Sequence, residues 1–162
     1  MFLTDQEGTD VTITDTTKTV YDLLAPQLRT DLITMVREDS WPEMTDDEGE
    51  RGVDQMAAFL AVAANTTEKA TPSLRVDLFW HAFVLHTKPY ADFCEALAGR
   101  FIHHVPDRTS GHNPIEGRNA MRRTADMICE GGFTTDPEFW PADHAADCTQ
   151  SYAGCSDSPV QK

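Results

Sequence analysis

The sequence predicts an all-α fold, a single-domain bundle of five or six helices around a central αα-hairpin. Apolar residues recur at helical spacing in segment after segment from Val20 to Ile128. Capping residues, prolines and glycines stand where those segments begin and end. A chain of 162 residues with 40% apolar content buries most of its apolar surface in one domain and is short for two. The expected boundaries are a flexible leader over residues 1–16, a helical domain over 17–141 and a weakly ordered tail over 142–162.

The leader holds Val-Thr-Ile-Thr among acids and threonines and sustains no period, which suits a loose segment or one short strand. Leu28, Leu32, Met35 and Val36 share a helix face, with Pro26 in its first turn and Ser40-Trp41-Pro42 as its stop. Thr45-Asp46-Asp47-Glu48 is a capping-box pattern, and Val53, Met56, Phe59, Leu60 and Ala63 form the stripe behind it. Gly49 and Gly52 weaken the first turns of that helix. The segment Leu74 to His86 is apolar nearly all round, as in a core helix. Thr87 is positioned to cap the next helix, Pro89 fits its first turn, Tyr90, Phe93, Cys94 and Leu97 make its buried stripe, and Gly99 ends it. So short a link makes the two an antiparallel hairpin. Asn113-Pro114-Ile115-Glu116 starts a last helix whose Met121, Ala125 and Ile128 face inward and which stops at Gly131-Gly132. Beyond it, Phe139 and Trp140 are aromatic anchors in a segment of small and polar residues.

A net charge of −14 argues against general nucleic-acid binding, which needs a concentrated basic stripe. Such acidity serves solubility and also suits docking on a basic protein partner. No segment reads as a secretion signal or a membrane span. Four cysteines, Cys94, Cys129, Cys148 and Cys155, all in the second half, do not form a disulfide framework, so reduced thiols and a cytoplasmic location are expected.

The residues that suggest chemistry run from Asp77 to His112. Asp77 and His81 are four apart and share a helix face. A buried carboxylate paired with an imidazole leaves the second ring nitrogen free for a metal or a proton. Cys94, on the inward stripe of the partner helix, is positioned to face them, and one of His103 and His104 in an extended segment turns inward. Mixed N, S and O ligands suit a divalent metal ion, zinc first. The expected metal set is therefore His81, Cys94, His103, His104 and Asp77. The plain alternative is a satisfied Asp77–His81 pair in the core, Cys94 as a small hydrophobe and the two histidines as a loop detail. A thiol-enzyme reading with Cys94 as nucleophile suffers from its mid-helix, apolar position.

Charge is polarised along the chain. Residues 1–60 carry fourteen acids against four bases, whereas Arg100, Arg108, Arg118, Arg122 and Arg123 face only Asp107 and Glu116 in their segment. Arg108, Arg118 and Arg122 are candidates to hold a small anionic ligand by bidentate contacts. The competing reading pairs these arginines with the acidic half of the same chain.

The block Asp77-Leu-Phe-Trp80-His81, with Tyr90, Phe93-Cys94 and Gly99-Arg-Phe101-Ile102-His103-His104-Val-Pro106, resembles a group of small uncharacterised bacterial proteins. It loosely resembles the glycine-rich domain-containing protein family, which has an Asp-x-x-Trp-His block before a Tyr. Phe83 stands where a second histidine often follows in that family, and the glycine-rich tail is absent. The resemblance implies no reaction. The leading expectation is thus a small cytoplasmic metal-binding protein, in its fuller form a metalloenzyme acting on a small anionic substrate. Its competitor is a non-enzymatic, acidic protein-interaction module with a structural Asp/His/Cys core. Neither reading involves nucleic acid or a membrane.

Overall fold

The computed structural model describes residues 20–106 and 113–141, and the backbone of residues 148–151. Five helices account for most of them, α1 (Pro26–Asp39), α2 (Asp46–Asn65), α3 (Leu74–Leu85), α4 (Thr87–Ala98) and α5 (Pro114–Glu130). They form the all-α bundle that the periodicity predicts, entered through a helical turn at residues 20–22.

Helix α1 begins on Pro26, whose fixed φ suits a first turn, and buries Leu32, Ile33 and Val36. The Trp41 amide turns back to the Val36 carbonyl at 2.9 Å and ends it. The capping box of α2 is complete: Thr45 Oγ1 accepts from the Glu48 amide at 3.1 Å and Glu48 Oε2 accepts from the Thr45 amide at 2.8 Å. Helix α2 is the deepest element, packed against α1, α3, α4 and α5. Its two early glycines have a role beyond lowering helix propensity. A Cβ on Gly49 would lie 2.7 Å from Ile33 of α1, and one on Gly52 would lie 2.3 Å from the Phe79 ring of α3. Both permit close approach of a neighbouring helix.

Ser73 caps α3, its Oγ accepting from the Val76 amide at 3.1 Å. Val76, Phe79, Trp80 and Phe83 fill the core face of α3. His86 joins α3 to α4 with no side-chain cap, so Thr87 is the first residue of α4 and does not cap it. Tyr90, Phe93 and Cys94 face inward from α4, which ends on Gly99 at φ +64°, a left-handed conformation that glycine adopts without strain. The α3–α4 pair is the predicted αα-hairpin.

Strand β1 (His103–Pro106) pairs antiparallel with β2 (Cys148–Ser151), His104 opposite Gln150 and Pro106 opposite Cys148. This small ribbon lies outside the sequence-based expectation. Asn113 caps α5 by accepting from the Ile115 and Glu116 amides at 3.1 and 3.4 Å. Inside α5, the Thr124 hydroxyl donates to the Ala120 carbonyl at 2.9 Å and accepts from the Thr71 amide at 2.8 Å, tying the α2–α3 connection to the helix.

The segment after α5 is anchored on α2. Gln55 donates to the Thr134 carbonyl and its Oε1 accepts from the Asp136 amide and Trp140 Nε1, at 3.0, 3.2 and 2.8 Å. Arg51 reaches Asp136 at 2.6 Å and Glu138 at 2.7 Å, while Phe139 is fully buried. The aromatic anchors expected in this segment thus work with a buried glutamine.

Candidate functional site: a part-buried Asp–His pair between α3 and β1

The polar residues around α3 come together differently from the arrangement that helical spacing suggests. His104, from β1, returns to α3 and sets Nε2 3.0 Å from Asp77 Oδ1, the ring donating to the carboxylate. The two side chains are 10% and 19% exposed, so each is largely removed from water and answered by the other. The His104 ring lies on Trp80 with centroids 4.3 Å apart, and the His81 ring stands edge-on to it at 5.5 Å. The partner of Asp77 is therefore His104 and not His81, which is exposed on the outer side of α3.

Beneath this pair a chain of hydrogen bonds crosses the hairpin. Trp80 Nε1 donates to the Tyr90 hydroxyl at 2.9 Å, and that hydroxyl donates to the Ile102 carbonyl at 2.5 Å. Burial raises the Tyr90 pKa, so the hydroxyl keeps its proton and its donor role. Cys94 is fully buried in the same layer. Burial pushes its thiol up, outweighing the Ile102 amide, the Tyr90 hydroxyl and Arg100, which favour the thiolate. This favours the protonated thiol in the core.

Among the described residues, no three His, Cys, Asp or Glu side chains are placed to hold a metal ion. This overturns the metal-binding expectation, zinc and any other divalent cofactor included. The reason is geometric. Cys94 faces the core, His81 faces outward, and the strand alternation that turns His104 onto Asp77 sends His103 to Phe101, at 5.0 Å between ring centroids. Inward stripes on two helices of a hairpin bring Cys94 beneath Tyr90 and Ile102, not beside His81.

The arginines also depart from the simplest expectation. Arg100 donates to the Ala64 carbonyl at 2.8 Å, and Arg123 pairs with Glu116 of its own helix at 3.1 Å. Arg118 and Arg122 form no ion pair among the described residues. Arg108 and His112 lie outside the described residues, as do His144 and Cys155, and nothing is assigned to the Cys148 side chain.

What sequence reasoning missed is the β1 return. Adjacent histidines in an extended segment do announce that one turns inward, but the partner that receives it depends on where β1 crosses α3. Residues 23–137 match the model of the UCP032817-like family, and the chain belongs to that family. No curated protein and no solved structure matches it. The match spans the hairpin, β1 and α5, so the Asp77–His104 pair lies within the family's shared region. No described helix is long and apolar enough to cross a membrane.

Proposed function

We propose that the chain is a non-enzymatic, acidic protein-interaction module, cytoplasmic with reduced thiols, whose Asp77, His104 and Cys94 serve the fold. The observation that carries this reading is a division of labour among polar groups. Asp77 and His104 satisfy each other between α3 and β1, and Cys94 is held in the core. Glu38, Asp39 and Glu43, at the turn between α1 and α2, are exposed and form no ion pair among the described residues. Arg37 and Arg51 nearby are already engaged, by Asp46 and by Asp47, Asp136 and Glu138. A basic protein segment is the partner that such a surface attracts.

The experiment separates the two roles. Binding of a fluorescent lysine-rich peptide to the full chain is compared among the parent, an E38Q/D39N/E43Q variant, and the single variants C94A and H104Q. The acid variant should lose about tenfold in affinity at low salt, and the core variants should lose thermal stability at parent affinity. Equal affinity in the parent and the acid variant would remove this reading. A second reading rests on Arg118 and Arg122 having no described partner: a small anionic ligand held on α5. A rise in melting temperature with added phosphate, absent in R118Q/R122Q, would support it, and no rise in the parent would end it.

A further inference from the structure

We infer that the cavity where α2, α4 and α5 end binds a small alkylammonium compound, a cationic head carried on an apolar body. The cavity, of about 620 Å³, lies between the last turns of these three helices and the turn through which the chain enters the bundle. Cavities of roughly 300 to 1,000 Å³ hold small molecules. Its wall is mainly apolar: Leu23, Val62, Leu97 and Met127 are half-buried there, and Phe133 is buried. The first four pack on the core and leave apolar surface to the cavity, which suits the body of the ligand.

Charge names the head group. A helix C-terminus carries about half a negative charge, which a basic side chain in the last turn answers favourably. None of these three helices has a basic residue in its last turn. Asn65 and Thr66 line the cavity from the end of α2, Ala96 and Leu97 from that of α4, and Glu130 and Gly131 from that of α5. Three dipole ends of one sign therefore meet at one opening. Arg100 donates to the Ala64 carbonyl of α2 at 2.8 Å, but it is not part of the cavity wall. Glu130 is exposed and forms no ion pair among the described residues. Asn65 donates to the Ala61 carbonyl at 2.8 Å, which leaves its own carbonyl oxygen to accept. An ammonium group is favoured by the carboxylate, by that oxygen and by the helix ends, and all three disfavour an anion.

This site is separate from the acidic turn between α1 and α2, which draws a basic protein segment by charge alone. The cavity requires charge and apolar body together. Each methylene buried in it should tighten binding about fourfold, so a short ammonium ion is held far more weakly than a long one. The two readings therefore succeed or fail separately.

Isothermal titration calorimetry of the full chain with octylammonium, 1-octanol, octanoate and methylammonium tests the inference. Octylammonium should bind with a dissociation constant of about 0.1 mM and octanol about tenfold more weakly, while octanoate and methylammonium give no detectable binding. E130Q should weaken octylammonium about fivefold and leave octanol unchanged. A96W, which sets an indole at the cavity from an exposed position on α4, should weaken both at the parent's melting temperature. The E38Q/D39N/E43Q variant should bind octylammonium as the parent does. Octanoate binding as tightly as octylammonium would overturn the inference. So would octylammonium binding that E130Q and A96W leave intact, or that the E38Q/D39N/E43Q variant loses. No binding of any of the four compounds, the result expected where another segment of the chain or a second copy fills the cavity, would overturn it as well.

Discussion

Replacing Gly52 by alanine tests the packing account at its tightest point. In an exposed helix this change stabilises, by about 1 kcal/mol, because alanine is the better helix former. Here the added Cβ would lie 2.3 Å from both Cε2 and Cζ of Phe79, and 2.9 Å from Cε1. Carbon atoms rest about 3.5 to 4.0 Å apart, so the ring must retreat by more than about 1 Å. It has little room, since Phe79 is fully buried and stands edge-on to Phe139 at 6.2 Å. Overpacking of this kind costs about 2 to 3 kcal/mol, which outweighs the propensity gain and leaves a net loss of about 1 to 2 kcal/mol. In a chain of this size that lowers the melting temperature by about 3 to 8 °C. Urea unfolding followed by circular dichroism should show an earlier midpoint at unchanged slope. Shrinking the ring in a G52A/F79L double variant should return about 1 kcal/mol relative to additive losses. A G52A chain as stable as the parent, or more so, would refute the claim that Gly52 is a contact site for α3.

Replacing Asp77 by alanine leaves His104 largely buried without its acceptor and should cost about 1 to 2 kcal/mol, read by the same unfolding assay; a neutral effect would mean that water reaches His104 freely. Burial alone would raise the Asp136 pKa, but Arg51 and the Glu138 amide hold it below the usual carboxylate value. Its stabilising share is therefore present above the unfolded pKa near 4 and is lost as pH falls through the folded value, so R51Q should flatten the acid side of a stability–pH curve; an acid limb identical to the parent's would contradict this. With Cys148 and Cys155 replaced by serine, a thiol reagent should label exposed Cys129 in the native chain and buried Cys94 only after unfolding. Labelling of both thiols at one rate would contradict the placement of Cys94.

The bundle was legible because its signals are local. Pro26, the Thr45–Glu48 box, Gly99 and Asn113 act within a turn of their own positions, and each stands at a helix end in the structure. The roles of Gly49 and Gly52 were not legible, because a glycine reads as a weak helix former until the neighbouring helix is in place. The same limit governs the candidate site. The spacing of Asp77 and His81 is a true helical neighbour relation, but Asp77 is taken by His104, 27 residues further along the chain. That choice is made by the path of β1, and β1 pairs with a strand from the far end of the chain. Helical periodicity likewise placed Cys94 on an inward face, as observed, without saying that Tyr90 and Ile102 would close over it. An apolar α3 reads as a buried helix, yet the bundle leaves its Leu74 and Leu85 half exposed.

The central claim is that this chain works through its acidic surface while its Asp, His and Cys residues maintain the core. Its most direct test is the affinity of the full chain for a lysine-rich peptide, measured from about 50 to 300 mM salt, a range over which surface charges become largely screened. The account predicts measurable binding at the low end that weakens steadily as salt rises. No binding at low salt, or an affinity unchanged across the series, would contradict it.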